Sequence, residues 1–245
     1  MSQPVRPFLG ESAEQRIEAR RRQLVDKAFE LLAADTWRQT SIAQLCREVS
    51  LNKRYFYESF QDLAEVEAAV VDDLTSQLLA TGWKALSEAQ MNRLDTEKLA
   101  RHVLKACISW LVNDPRRAQV LFSKASDNPR ARAHRDLVVS QLGQTLSNFG
   151  LEYHQPQPHP VTVTSQHRTL ARLTSSLLIG GTVESILDWI DGKLDLSLDA
   201  FVDYVARFWV AMGNSAVSMA LNPPEAPAQD TPPPDSQPSG RRRRR

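Results

Sequence analysis

The side chains best suited to chemistry in this sequence form one run in the first quarter of the chain, which reads Asn-Lys-Arg-Tyr-Phe-Tyr-Glu-Ser-Phe from Asn52. Asn52 is a good N-cap, and Phe56 and Phe60 share one face of the helix that Asn52 would start. If that face is buried, Arg54 and Glu58 point outward. The run therefore predicts a short amphipathic helix with basic residues at its start.

This outward face has the chemistry of a surface that contacts DNA. Lys53 and Arg54 would lie in the first turn, where a recognition helix approaches base edges. An arginine there can donate two hydrogen bonds to guanine, and the hydroxyls of Tyr57 and Thr40 can donate to phosphate. The predicted DNA-binding set is Thr40, Asn52, Lys53, Arg54, Tyr55 and Tyr57. Alternatively, these residues are the solvated face of a structural helix.

Three predicted helices would position the run. Residues 12–15, Ser-Ala-Glu-Gln, have the form of a capping box and start a first helix over about 13–34. A second short helix is predicted at about 41–48, and Asp62 is the expected N-cap of a fourth that continues to about Leu86. Three helices in about fifty residues, with a short turn between the second and third, are typical of a helix-turn-helix.

The rest of the chain is also predicted to be helical. Further helices are expected near 96–113, 115–125, 129–149, 163–191 and 197–220. Two of them begin at an Asp-Pro or Asn-Pro pair, Asp114-Pro115 and Asn128-Pro129, because Pro is favoured at the first helical position. Residues 151–162 are expected to form a proline-broken loop. These patterns predict an all-α fold of about nine helices.

The composition and charge of the chain limit which classes of protein it can belong to. Hydrophobic residues make up 42 % and charged residues 24 % of the 245 residues, which is typical of a globular chain. Removing Arg241–Arg245 from the net charge of +1 leaves −4, so a near-neutral total does not argue against a local basic surface. Seven of the 14 prolines follow Asn222, which predicts a disordered tail. Its five arginines would add non-specific affinity for nucleic acid, or form an unselective tail.

Several functional classes are disfavoured by what the sequence lacks. The two cysteines, Cys46 and Cys107, form neither a disulfide framework nor a close metal-binding pair. We find no signal-peptide core and no apolar run long enough for a membrane span, which predicts a cytoplasmic protein. There is no nucleophile motif and no glycine-rich phosphate loop. We therefore expect a protein that is not an enzyme and that uses no cofactor and no metal.

The order of the N-terminal motifs resembles the TetR family of bacterial transcriptional regulators. The motifs are residues 24–32 (Leu-Val-Asp-Lys-Ala-Phe-Glu-Leu-Leu), Thr36-Trp37, residues 40–42 (Thr-Ser-Ile) and residues 51–60, which end in Phe-Tyr-Glu-Ser-Phe. They follow the family pattern without a gap to about Val66. Residues 178–194 and the helix after them resemble the family's dimerisation helices more loosely.

The sequence also departs from the family pattern. Thr36 and Ser50 stand where the family usually has glycine, so both turns must accommodate a Cβ atom. Leu63 replaces a common lysine, and Arg54 replaces a small residue. These departures put a phosphate contact from residue 63 in doubt and add a cation to the recognition helix.

The resemblance implies a two-domain regulator. A flexible N-terminus (1–11) would precede the helix-turn-helix DNA-binding domain (12–62), and a helical-bundle domain for dimerisation and effector binding (63–221) would precede the disordered tail (222–245). The implied function is a repressor that binds a palindromic operator as a homodimer and is released by a small molecule. The alternatives are a ligand-independent regulator that acts through a protein partner, or an all-helical enzyme or adaptor.

Two further expectations concern the larger domain. A single apolar stripe is predicted on the last helix, made of Phe201, Tyr204, Val205, Phe208, Trp209 and Met212. A helix this apolar must be buried on more than one side. We therefore expect the helices near 163–191 and 197–220 to form a two-fold interface. Three aromatic side chains, Trp83, Trp110 and Phe122, are candidates for an effector pocket, or alternatively for plain core.

Overall fold

The computed structural model describes residues 12–122, 140, 143–151 and 162–222. Within these ranges the chain is helical and contains no strand, which confirms the predicted all-α class. The helices are α1 (Ala13–Ala33), α2 (Ile42–Glu48), α3 (Lys53–Tyr57), α4 (Leu63–Met91), α5 (Thr96–Val112), α6 (Pro115–Phe122), α7 (143–151), α8 (Ser165–Ile190) and α9 (Leu198–Leu221). A short 3-10 turn, Trp37–Gln39, lies between α1 and α2.

Polar side chains fix where the helices begin. Ser12 and Gln15 form the predicted capping box of α1, each bonding the other's backbone N–H. Asn52 accepts from the third residue beyond it at the start of α3, and Asp62 does the same at the start of α4. Such caps satisfy N–H groups that have no partner within the helix. The short polar motifs therefore determined these starts.

Two helix ends differ from the sequence expectation. Helix α4 continues past Leu86 to Met91, because Ala85 and Ala89 keep its buried face apolar for another turn. Helix α3 ends at Tyr57, before Phe60. The Phe60 amide still donates to the Phe56 carbonyl at 2.9 Å, so the two rings remain on one side.

Some expectations lie outside the described residues. These are the N-terminus (1–11), the Asn128-Pro129 helix start, most of the loop at 151–162 and the tail from residue 223.

Two turns around α2 contain left-handed residues that are not glycine. Ser50, between α2 and α3, has φ +56° and carries the Cβ atom that the departure from glycine predicted. In the turn after α1 the left-handed residue is Asp35, with φ +54°, while Thr36 has an ordinary φ of −103°. A left-handed conformation costs about 1–2 kcal/mol for a residue with a Cβ atom, and Asp tolerates it better than most.

One contiguous set of buried apolar side chains joins the first three helices to the rest. It includes Leu24 in α1, Phe56 in α3, Val70 in α4 and Val202 in α9. Helix α4 packs against α1 and α5, and α9 packs against α5 and α8. In the same region the Trp37 indole donates to the buried carboxylate of Glu67 at 3.1 Å. Helices α4 and α6 both contact α1 and therefore join the N-terminal module to the bundle.

Candidate nucleic-acid interface

Helix α3 has one buried aromatic side and one exposed basic side. Phe56 and Phe60 are 0 % and 2 % exposed, and their ring centroids are 6.1 Å apart. Arg54 lies on the opposite side, with 85 % of its side chain exposed. Lys53 and Tyr57 are exposed as well. The structure therefore places these three side chains on the outward face that the Phe spacing predicted.

Asn52 and Thr40 have structural partners within the module. The Asn52 side chain accepts from the Tyr55 backbone N–H at 3.2 Å and so fixes the start of α3. Thr40 is only 7 % exposed, and its hydroxyl donates to the Thr36 carbonyl at 3.0 Å. The expectation that this hydroxyl faces phosphate is therefore at odds with the structure. A threonine that follows a helical turn can donate to the carbonyl four residues earlier, and this local bond holds its hydroxyl away from the outward face.

A cluster that the sequence did not predict joins α1 to α3. The Arg20 guanidinium lies 4.3 Å above the Tyr55 ring centroid and donates to the Glu58 carboxylate at 3.2 Å. Glu58 also pairs with Arg54, at 3.3 Å from its Nε. The Nε atom of Arg20 is buried and has no hydrogen-bond partner among the described residues. Glu58 therefore lies between two arginines on the outward side of α3.

The neighbouring arginines of α1 also contact the module itself. Arg21 lies over the Phe60 ring, 4.9 Å from its centroid. Arg22 donates to Asp26 at 2.9 Å and to Asp73 of α4 at 2.8 Å. These arginines of α1 thus stabilise the packing of α1 on α3 and α4.

A second surface is the exposed apolar face of α8 and α9. Among the large apolar side chains of these helices that are more than half exposed are Leu173 and Leu177 of α8 and Tyr204 and Phe208 of α9, and we call these four the α8–α9 face. Such a concentration of large exposed apolar side chains is typical of an interaction surface.

The single stripe predicted on the last helix is divided between two sides. Phe201 and Val205 are buried, while Tyr204 and Phe208 are exposed. Trp209 is half-buried, and its indole donates to the Thr182 hydroxyl of α8 at 2.8 Å. The prediction treated these aromatics as one face because helical periodicity does not show where the neighbouring helices lie.

The three aromatic pocket candidates do not surround a common space. Trp83 is 52 % exposed on α4. Trp110 lies beneath the Arg117 guanidinium, 4.5 Å from its ring centroid, and Phe122 is buried in the core. A cavity of about 280 Å³ lies elsewhere, between α5, α7, α8 and α9, and none of the three lines it. Trp83 instead lines a separate space between α4 and α7, together with Leu86 and Phe149. An effector pocket at these three aromatics therefore stays a prediction.

The described residues contain neither a membrane-spanning helix nor a metal-binding cluster. No described helix combines the length and the apolar composition that crossing a membrane requires. No group of three or more His, Cys, Asp or Glu side chains in the described ranges is placed to hold a metal ion.

The relationship of this chain to known proteins is visible in its structure. No family model and no curated protein matches its sequence. A TetR-family transcriptional regulator from Syntrophomonas wolfei matches with a TM-score of 0.59 and 13 % identity, over 80 % of this chain and 96 % of that one. The fatty acid degradation regulator FadR from Bacillus halodurans matches with a TM-score of 0.57 and 14 % identity, over 82 % and 96 %.

A third structure has a bound ligand. FadR from Bacillus subtilis, in complex with stearoyl-CoA, matches with a TM-score of 0.57 and 16 % identity, over 78 % of this chain and 98 % of that one. At such low identity a shared fold does not establish a shared function. The chain therefore has the all-α fold of the TetR-family transcriptional regulators, as its N-terminal motifs predicted.

Proposed function

We propose that this protein is a DNA-binding transcriptional regulator that reads a major groove with α3. The observation that carries the proposal is the outward face of that helix, where Lys53, Arg54 and Tyr57 are exposed above the buried Phe56 and Phe60. The shared fold with TetR-family regulators supports it.

Each exposed side chain has a different role in this proposal. Arg54 donates to a base edge, and Lys53 adds a cation to the same first turn. The Tyr57 hydroxyl donates to phosphate, which sets the register of the helix on the duplex. Asn52 acts through the helix start that it caps, and Tyr55 through its contact with Arg20. Thr40 holds the turn before α2 and contributes no side-chain contact.

The regulator acts as a homodimer through the α8–α9 face. The proposed partner at this face is a second copy of the same chain, because one helix-turn-helix module reads one half-site and a two-fold pair reads two. Recognition helices of such a pair approach successive major grooves about 34–36 Å apart, which corresponds to a palindromic operator. The exposed Leu177 and Phe208 would then lie in the centre of an apolar contact.

We further propose that the dimer represses transcription and that a small molecule releases it. Such an effector must bind better to a state in which the recognition helices no longer match the groove spacing. The stearoyl-CoA complex of the Bacillus subtilis FadR shows that this fold can hold a small molecule. A regulator that acts through a protein partner, without an effector, is the alternative.

Selection from a randomised duplex library, followed by fluorescence anisotropy, tests the proposal. Wild-type protein should enrich a palindrome, and Arg54→Ala should relax the preference at one position in each half-site by about 1–3 kcal/mol. Arg168→Ala is the matched control, because it removes an exposed arginine from α8. Failure to enrich any sequence, or equal effects of the two variants, would contradict the proposed reading face.

A further inference from the structure

The cavity between α5, α7, α8 and α9 is lined mainly by hydrocarbon. Its volume of about 280 Å³ is close to the lower end of the range for small-molecule sites. The apolar side chains that line it include Leu99, Phe149, Leu170, Leu178, Val210 and Val217. These residues come from all four helices, so a bound molecule would contact each of them.

The described lining contains no Lys, Arg, Asp or Glu. Its one ionisable side chain is His167, whose Nδ1 accepts from the Thr164 N–H at 3.3 Å as part of the cap of α8. An anionic or cationic ligand would therefore lose its hydration without gaining a charged partner from these residues. For the described part of the wall, the cost of burying an unpaired charge favours an uncharged ligand.

Two hydroxyls on the α8 side of the wall favour one kind of polar group in a ligand. Thr174 donates its proton to the Leu170 carbonyl at 2.9 Å, and Ser175 donates to the Ala171 carbonyl at 2.8 Å. Both donors are thus used within α8, and only the oxygen lone pairs remain for a ligand. A ligand group that contacts them must therefore donate a hydrogen bond.

We propose that this cavity binds an uncharged, largely hydrocarbon molecule that carries a hydroxyl or N–H donor. As an effector site it rests on the proposed function, but the binding itself does not. The cavity shares two helices with the α8–α9 face: Leu170 and Thr174 line the cavity, whereas Leu173 and Leu177 lie on the face. A molecule that spreads α8 from α5 would therefore also move the dimer contact.

A matched pair of ligands tests the chemical class. The neutral fluorophore N-phenyl-1-naphthylamine is bound to full-length wild-type protein and displaced by 1-octanol or by octanoate, which have the same chain length. We expect octanol to displace the fluorophore at a concentration at least tenfold lower than octanoate. Equal displacement by the two, or no binding of the fluorophore, would overturn the inference.

Variants that fill the cavity test whether the fluorophore binds there. Ala171→Phe in α8 and Ala216→Phe in α9 each add a ring where a small side chain lines the cavity, and Ala80→Phe adds one at an exposed position of α4. Each variant is first checked for native helicity by circular dichroism. Fluorophore affinity should fall at least tenfold in a folded lining variant and stay unchanged in Ala80→Phe. Unchanged affinity in a folded lining variant would place the binding elsewhere and refute the proposal.

Operator binding is measured on the same proteins without alcohol. A protein that binds DNA but no fluorophore would refute the cavity assignment alone. A protein that binds the fluorophore and octanol but no DNA would keep the cavity assignment and refute the proposed function.

Discussion

Replacing Glu58 with glutamine tests how the outward face of α3 discriminates between DNA sequences. The carboxylate pairs with Arg20 at 3.2 Å and with Arg54 at 3.3 Å, so it competes with phosphate and base edges for both cations. Glutamine keeps the length of the side chain and removes its charge. We therefore expect Glu58→Gln to bind every duplex more tightly and to discriminate less between sequences.

The magnitudes follow from how exposed each pair is. Arg54 is almost fully exposed, and an exposed pair four residues apart on a helix contributes about 0.3–0.5 kcal/mol. The Arg20–Glu58 pair is more enclosed, with side chains 20 % and 32 % exposed, and lies near the upper end of the range for surface pairs, about 1 kcal/mol. Each phosphate newly neutralised steepens the slope of log affinity against log salt by about 0.9. If Arg20 is released to a phosphate, the slope should change by about that amount.

Anisotropy titrations across a range of salt concentrations measure the slope, and urea unfolding measures the stability. Glu97→Gln is the control, because it makes the same change of charge on α5, away from the module. A double-mutant cycle between Arg20→Gln and Glu58→Gln should show a coupling of about 1 kcal/mol. The proposed competition by Glu58 is refuted if the cycle shows no coupling, or if Glu58→Gln and Glu97→Gln change affinity, slope and discrimination equally.

Three further predictions concern the dimer, a turn and a helix cap. Phe208→Glu should give a folded monomer that loses operator binding, because Phe208 is 68 % exposed on the α8–α9 face. Trp209→Glu should instead unfold or aggregate, because its indole is half-buried against α8. Sedimentation and circular dichroism distinguish these outcomes. Ser50→Gly should raise the free energy of unfolding by up to about 1 kcal/mol, because glycine relieves the strain of a positive φ. Thr36→Gly should lower the free energy of unfolding, because residue 36 has a negative φ and gains only conformational freedom in the unfolded chain. Urea melts measure both effects. The backbone N–H and the ammonium of Lys98 hold the pKa of Asp95 below its usual range. The charge of Asp95 therefore stabilises the fold above about pH 4, and this contribution is lost as the pH falls further. Asp95→Asn keeps a cap but cannot ionise, so the stability difference between it and wild type should shrink below about pH 4 in urea melts.

Each of these predictions has a contradicting outcome. A wild-type protein that sediments as a monomer at micromolar concentration would rule out the dimer. Equal effects of glycine at the two turn positions would show that the positive φ is not a source of strain. A stability difference between wild type and Asp95→Asn that stays constant from pH 7 to pH 3 would show that the lowered pKa makes no contribution.

The parts of this structure that could be predicted from the sequence depend on neighbours within about one helical turn. The cap of α3 by Asn52 and the capping box at Ser12 are local hydrogen bonds between residues three apart. The burial of Phe56 and Phe60 follows from a spacing of four. Because the outward direction of Arg54 depends on that spacing, the exposed part of the candidate DNA surface was also predictable.

Contacts between distant helices could not be predicted in this way. Arg20 and Glu58 are 38 residues apart in sequence, and only the crossing of α1 over α3 brings them within 3.2 Å. The same limit applies to α9, whose periodicity showed an apolar helix but not which side α5 and α8 would cover. The cavity could not be predicted because its wall combines residues from four helices, and Trp83 lies against a separate space between α4 and α7. Periodicity records which residues share a face of one helix, whereas the packing of the helices determines what each face meets.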